Sequence, residues 1–221
     1  MVAIQDQTIP TRNYRKHILK YNTITTDKCR RCNTQSETIE HIISGCKTLA
    51  QIDYKHRHDQ VAKILHQRIG KKYELIEELT PYYEYTPQII LENKTHKIYW
   101  DRTIITDKTI KHNRPDITLI DKINKSTTLI DIAVPNTHNL KDTYTGKIRK
   151  YIDLSIEIKK QWQMNTVKIV PIIISAIGIV PKSLIQNLEE IGIEQKTYIE
   201  MQKATILNTC NITRKFLHTN T

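Results

Sequence analysis

A chain of 221 residues with 38% hydrophobic and 26% charged side chains can bury the core of one full domain plus a small module, which excludes wholesale disorder. The opening, MVAIQDQTIPTRNYRK, has no apolar segment after a basic stretch, and the most apolar run, 169–180, is interrupted by Pro171 and Gly178. It falls far short of the roughly 20 residues that cross a bilayer, so neither secretion nor a membrane partner is expected. Thirty-four Lys and Arg against 23 Asp and Glu leave a formal charge of +11, a salt-sensitive attraction for polyanions that makes nucleic acid the natural partner.

Residues 1–25 read as a polar leader with a helix-like patch around Tyr14 to Tyr21. A zinc module and a following helix are expected over 26–70. Three of the four cysteines crowd together as Cys29-x2-Cys32-x8-His41-x4-Cys46, while Cys210 lies apart and reads as an ordinary buried thiol. This is the pattern of a metal site in a reducing compartment rather than of a disulfide framework. Cys29 and Cys32 can share one ion from a tight turn, a helical turn over 40–44 can present His41, and Gly45 lets the chain reverse so that Cys46 completes a tetrahedron. Four protein ligands leave no open position, so the zinc is structural. Lys28, Arg30, Arg31 and Lys47 lie beside these ligands and suit phosphate contacts, or else form a solvated rim.

From 51 to 69 a helical pattern brings Ile52, Val61, Ile64, Leu65 and Ile69 near one face, with Gly70 as its end. Within it, His56, Arg57, His58 and Asp59 could be alternative metal ligands, but capping or packing is the preferred reading. Residues 71–94, with Pro81 and Pro87, read as the linker between modules.

The second domain, 95–221, is expected to be α/β. Short β-rich runs fall at 98–100, 104–105, 117–120 and 127–134, the last two joined by a hairpin-like turn. Then Leu140, Tyr144, Lys147, Tyr151, Leu154, Ile158 and Trp162 recur every three or four residues, the mark of an amphipathic helix. A buried strand is expected at 167–175, where Pro171 argues for an edge position or a bulge. Helices over 182–191 and 198–217 finish the chain.

Arg114-Pro115-Asp116 opens one strand of the hairpin, and Asp131 follows fifteen residues later on its partner. Two carboxylates brought together repel, and a hard divalent cation with oxygen ligands, Mg²⁺, is the economical way to hold them. Such an ion can activate water and stabilise charge on a phosphate. Lys147 shares the apolar stripe, and a buried ammonium needs an anionic partner. The alternative is a lysine that snorkels to solvent. Lys150, one turn on, can share or replace its role.

The order of finger, Arg-His-Asp helix, Arg-Pro-Asp, Asp-Ile-Ala-Val and Lys-x-x-Lys-Tyr resembles the C-terminal region of non-long-terminal-repeat retrotransposons that carry a restriction-like endonuclease. The resemblance spans nearly the whole chain. It implies a CCHC finger followed by a PD-(D/E)xK mixed sheet flanked by helices, with Asp116 and Asp131 as Mg²⁺ ligands. The lysine expected two positions after the second acid is Ala133 here, so its role passes to Lys147 or Lys150, as in the retroelement branch. The implied activity is nicking of target DNA in the nucleus, with Arg114 and the finger cations on the nucleic acid and element RNA as a second partner. No segment resembles a reverse transcriptase palm, so polymerase activity is not expected of this chain. The competing expectation is a non-catalytic nucleic-acid-binding protein, or an inactive remnant, in either the nucleus or the cytoplasm.

Overall fold

The architecture of residues 1–218, described by a computed structural model, follows from two periodicities: alternation in the strands and a stripe in each long helix. Five strands, β1 (Ile90–Glu92), β2 (His96–Trp100), β3 (Ile117–Asp121), β4 (Ser126–Ala133) and β5 (Thr166–Ile173), form one sheet in chain order. The first four pair antiparallel, and β5 joins β4 in parallel. The parallel pair needs a long crossover, and α5 (Leu140–Gln161) supplies it. The result is an α/β protein with a mixed sheet, as the sequence leads one to expect.

Each face of the sheet is covered. Alternate residues Leu129, Val167 and Ile169 turn to α5 and meet Tyr151, Leu154 and Ile158, three members of the expected stripe. Their neighbours Ile130, Ile132, Val170 and Ile172 turn the other way. There they meet α4 (Lys55–Lys72), α6 (Lys182–Glu190) and α7 (Thr197–His218) through Val61, Leu65, Leu184, Leu188 and Met201. One continuous core thus spans the helix after the finger and the sheet. The 71–94 segment is part of that body too: it supplies β1, and Tyr73, Leu75, Ile76 and Tyr82 pack on the core.

Pro171 sits on the outer edge of the sheet, as predicted. Its carbonyl faces away from β4 and accepts from Asn187 Nδ2 at 2.5 Å, so its missing N–H also falls on the unpaired side. Two other expectations fail. Residues 104 and 105 form no strand; Ile104 plugs the α5 cluster from a loop while Ile105 is exposed. Ile52 is 69% exposed rather than on the buried face of α4. A π-helical turn over Ala50–Tyr54 precedes α4 and changes the phase, rotating Ile52 outward.

The first residues are docked rather than trailing. Ile4, in the short helix α1 (Val2–Gln5), packs with Ile39, Ile43 and Ala176. Thr11 Oγ1 accepts from Tyr14 N at 3.2 Å and caps α2 (Arg12–His17), a shorter helix than the patch to Tyr21 suggested. Among the described residues, no helix is long and apolar enough to cross a membrane.

Candidate functional site

Two constellations carry chemistry. In the first, the Cys29–Cys32 turn is closed by Cys29 N donating to Gln35 O and Asn33 N to Cys29 O, both at 2.9 Å. Asn33 adopts φ +53, a left-handed value that asparagine tolerates. A π-helical turn over His41–Gly45 then brings His41 and Cys46 against the pair. The ligand atoms of Cys29, Cys32, His41 and Cys46 all lie within 4.8 Å of one another. Cys29 Sγ and Cys46 Sγ are 3.8 Å apart, and Cys32 Sγ and His41 Nε2 are 3.3 Å apart. A zinc tetrahedron with Zn–S near 2.3 Å and Zn–N near 2.0–2.1 Å has edges of about 3.5–3.8 Å, so the four residues fit that ion.

The surroundings prepare the ligands. His41 Nδ1 lies 2.9 Å from Gln35 Oε1, an acceptor that fixes the proton there and turns the Nε2 lone pair toward the sulfurs. Burial pushes the Cys32 thiol up, yet the Thr34 hydroxyl and the Thr34 and Gln35 backbone N–H groups outweigh it and bring it down to about 5. Cys29, more deeply enclosed, is pushed up to about 12. Tyr54 Oη accepts from Cys46 N at 3.0 Å and donates to Ile42 O at 2.7 Å, pinning the second half of the finger, with the one-turn helix α3 (Lys47–Leu49) behind it, to the entry of α4. Cys29, Ile42, Cys46 and Leu49 pack on Ile212 and Phe216 of α7.

Of the cations expected on a nucleic-acid surface, Arg30 is committed inside. Its Nε and Nη2 donate to the two oxygens of the fully buried Glu37 at 3.0 and 2.8 Å. Its backbone N–H and that of Arg12 add two more bonds at 2.9 Å. Lys28 Nζ reaches Thr34 O at 3.3 Å, and Lys47 is exposed. Arg114 lies away from the finger, on Asp101, with Nη2 at 2.8 Å from Oδ2. Cys210 stands apart and packs with Ile4 and Ile43.

The second constellation is built on the β3–β4 hairpin. Ile117 pairs with Ile130, so Asp116, one step beyond the last register position, comes across the hairpin from Asp131, whose side chain lies on the α5 face. Asp131 is 1% exposed. Lys147 Nζ forms an ion pair with its Oδ2, and Lys150 Nζ lies 3.2 Å from its Oδ1. Tyr151 Oη donates to the same Oδ1, sharing its proton with the Arg114 carbonyl at 3.0 Å. Burial and the neighbouring carboxylates push the Tyr151 phenol far above its ordinary range, so it stays a donor. The predicted Asp131, Lys147 and Lys150 therefore do converge.

Asp116 is held from another direction. Its Oδ2 accepts from Ile132 N at 2.6 Å and lies 3.0 Å from His58 Nε2. Burial raises the Asp116 pKa, but His58, the Ile132 N–H and the charge of Lys147 outweigh it and the carboxyl titrates below its usual range. Burial opposes protonation of His58 as well, and Asp116 and Asp59 overcome it, pushing the imidazole up to about 10. His58 is the partner that capping or packing did not foresee; it lies 58 residues before Asp116 in sequence. Among the described residues, the only group of three or more His, Cys, Asp or Glu within metal-sharing distance is the finger set.

Beside the aspartates opens a cleft of about 380 Å³ whose lining includes Ser44, Lys55, Arg57, His58 and Lys147. It joins the finger side of the molecule to the carboxylates and is lined by cations. No family model matches the chain. No curated protein matches it either.

Proposed function

We propose that the chain is a metal-dependent DNA endonuclease of retroelement origin, with a PD-(D/E)xK type of domain behind a zinc finger. The observation that carries this reading is the convergence of Lys147 and Lys150 on Asp131 with Asp116 opposite, beside a cation-lined cleft. Two aspartates across one hairpin offer hard oxygen donors of the kind Mg²⁺ takes. Asp116 and Asp131 would hold the divalent ion, which would supply an activated water and stabilisation of phosphate charge.

The chain's own groups have separate tasks. His58 and the Ile132 N–H keep Asp116 ionised and fixed. Tyr151 fixes Asp131 on the rigid strand. Lys147 and Lys150 sit where ammonium groups can hold a phosphate oxygen as negative charge builds on it, the kind of preorganised stabilisation that typically carries much of a phosphoryl-transfer rate. DNA is the substrate, element RNA a second partner, and the nucleus the place of action. Loss of plasmid nicking on removing Mg²⁺ and in Asp131→Ala tests the reading; nicking that survives both defeats it.

A second reading has its own support: both Asp131 oxygens are already neutralised by lysines, a stable arrangement for a chain that binds without cutting. It expects salt-dependent DNA binding without nicking, indifferent to Asp116→Ala but lost in Cys32→Ser.

A further inference from the structure

Arg57 is 1% exposed, and among the described residues its charge has no paired acid. Its Nη1 donates to Thr209 Oγ1 at 2.9 Å and its Nη2 to the Val134 carbonyl at 3.3 Å, both neutral acceptors. The Tyr54 ring lies 5.3 Å from Cζ. Among the described residues Nε has no hydrogen-bond partner and no carboxylate forms an ion pair with this guanidinium. Burial pulls its pKa down to about 10, still well above neutrality, so the group remains a cation. A guanidinium offers five N–H donors, and a buried charge is tolerated when something anionic pairs with it.

The position of Arg57 says where that anion would lie. It lines the 380 Å³ cleft together with Ser44, His58 and Lys147, and Ser44 Oγ is a second buried polar atom there with no partner among the described residues. Two side chains of the cleft, His58 and Lys147, also touch the aspartates, one on each carboxylate, and the cleft's Ile132 gives its backbone N–H to Asp116. Lys55, the remaining cation, is spent on Asp59 at 2.9 Å.

We infer that this cleft is a phosphate subsite, with Arg57 at its floor and Ser44 at its wall, that seats a backbone phosphate of the nucleic acid next to the one presented to Asp116 and Asp131. The identity of the strand rests on the endonuclease reading; the anion site itself does not. A forked guanidinium matches two phosphate oxygens, and its fixed bonds to Thr209 and Val134 orient it in advance. Because Arg57 is at the entry of α4, the subsite also ties the finger side of the molecule to the cutting side along one strand.

The test uses the zinc-loaded full chain, a fluorescent DNA duplex in buffer without added divalent cation, and inorganic phosphate as a second probe. Arg57→Met is expected to weaken duplex binding about 10- to 100-fold, the loss of a charge-assisted hydrogen-bonded contact, and to lower the slope of log affinity against log salt by about one. Inorganic phosphate is expected to raise the melting temperature of the wild type and not that of the variant. Without ligand, Arg57→Met should melt no lower than the wild type, since an uncompensated buried cation has gone. Unchanged affinity and slope overturn the inference, as does a lowered melting temperature with an intact phosphate response, which marks Arg57 as a mere strut. If Arg57→Met fails to fold, Arg57→Lys decides: it keeps charge without the fork, and wild-type affinity in it overturns the proposal. A wild type that responds to phosphate but does not bind the duplex overturns the nucleic-acid assignment. Lost affinity in a chain that never nicks supports the subsite while the endonuclease reading falls.

Discussion

Removing the finger's metal is expected to destabilise far more than the finger. Ile42, Leu49, Ile212 and Phe216 are each at most 7% exposed, and the first two are held against the last two by the ligand turn and Cys46. Burying such a side chain is worth about 1.5–3 kcal/mol, so the four together contribute about 6–12 kcal/mol as an upper bound. That is comparable to the whole stability of a typical domain, about 5–15 kcal/mol. Even half the lower figure, about 3 kcal/mol, lowers the melting temperature of a chain this size by about 6–12 °C. Elemental analysis should find one zinc per chain. Thermal melts with and without a strong chelator, and of Cys46→Ser, should show the drop along with loosening of α7. A chain that retains no zinc, or a chelated chain that melts unchanged, refutes the argument.

Three further outcomes are expected. Glu37→Gln breaks a buried ion pair with Arg30 and should cost about 3–5 kcal/mol in denaturant unfolding. Burial works against the Glu37 charge, but Arg30 and two backbone N–H groups hold the carboxyl below its ordinary value of 4.5. Its stabilisation is therefore present above that pH and fades as pH falls below it, so the gap between wild type and variant should narrow in acid; a gap constant with pH contradicts this. Gly178 has φ +85, and a Cβ there would lie 2.8 Å from Ile206 Cγ1, so Gly178→Ala should cost at least about 1–3 kcal/mol, read as a lower urea midpoint at unchanged slope. Tyr151→Phe removes the hydroxyl on Asp131 and should lose about 1.5–3 kcal/mol while the chain still folds; a neutral result would mean the hydrogen bond is not made.

What sequence could disclose was what periodicity and spacing encode. The stripe of Tyr151, Leu154 and Ile158 gave α5 its buried face, and the hairpin register gave Asp116 its place opposite Asp131. The ligand spacing anticipated the finger cluster. Other features depended on contacts with no local signal. β1 is three residues long and stands in a proline-flanked stretch that reads as a linker, because its pairing with β2 is decided by tertiary packing. His58 meets Asp116 across the fold, and Arg30 and Glu37 meet within the finger, where charge patterning alone suggested a surface. Ile52 was misplaced because a π-helical turn breaks the 3.6-residue phase that an uninterrupted helix would keep.

Nicking of supercoiled plasmid by the zinc-loaded chain tests the role of Asp116, Asp131 and Lys147 most directly. With Mg²⁺ the wild type should convert supercoiled to open-circular DNA, while omission of Mg²⁺, Asp131→Asn or Lys147→Ala should each slow conversion by at least about 100-fold. Nicking that persists in Asp131→Asn without Mg²⁺, or a folded wild type that binds DNA and leaves it intact, would contradict that role.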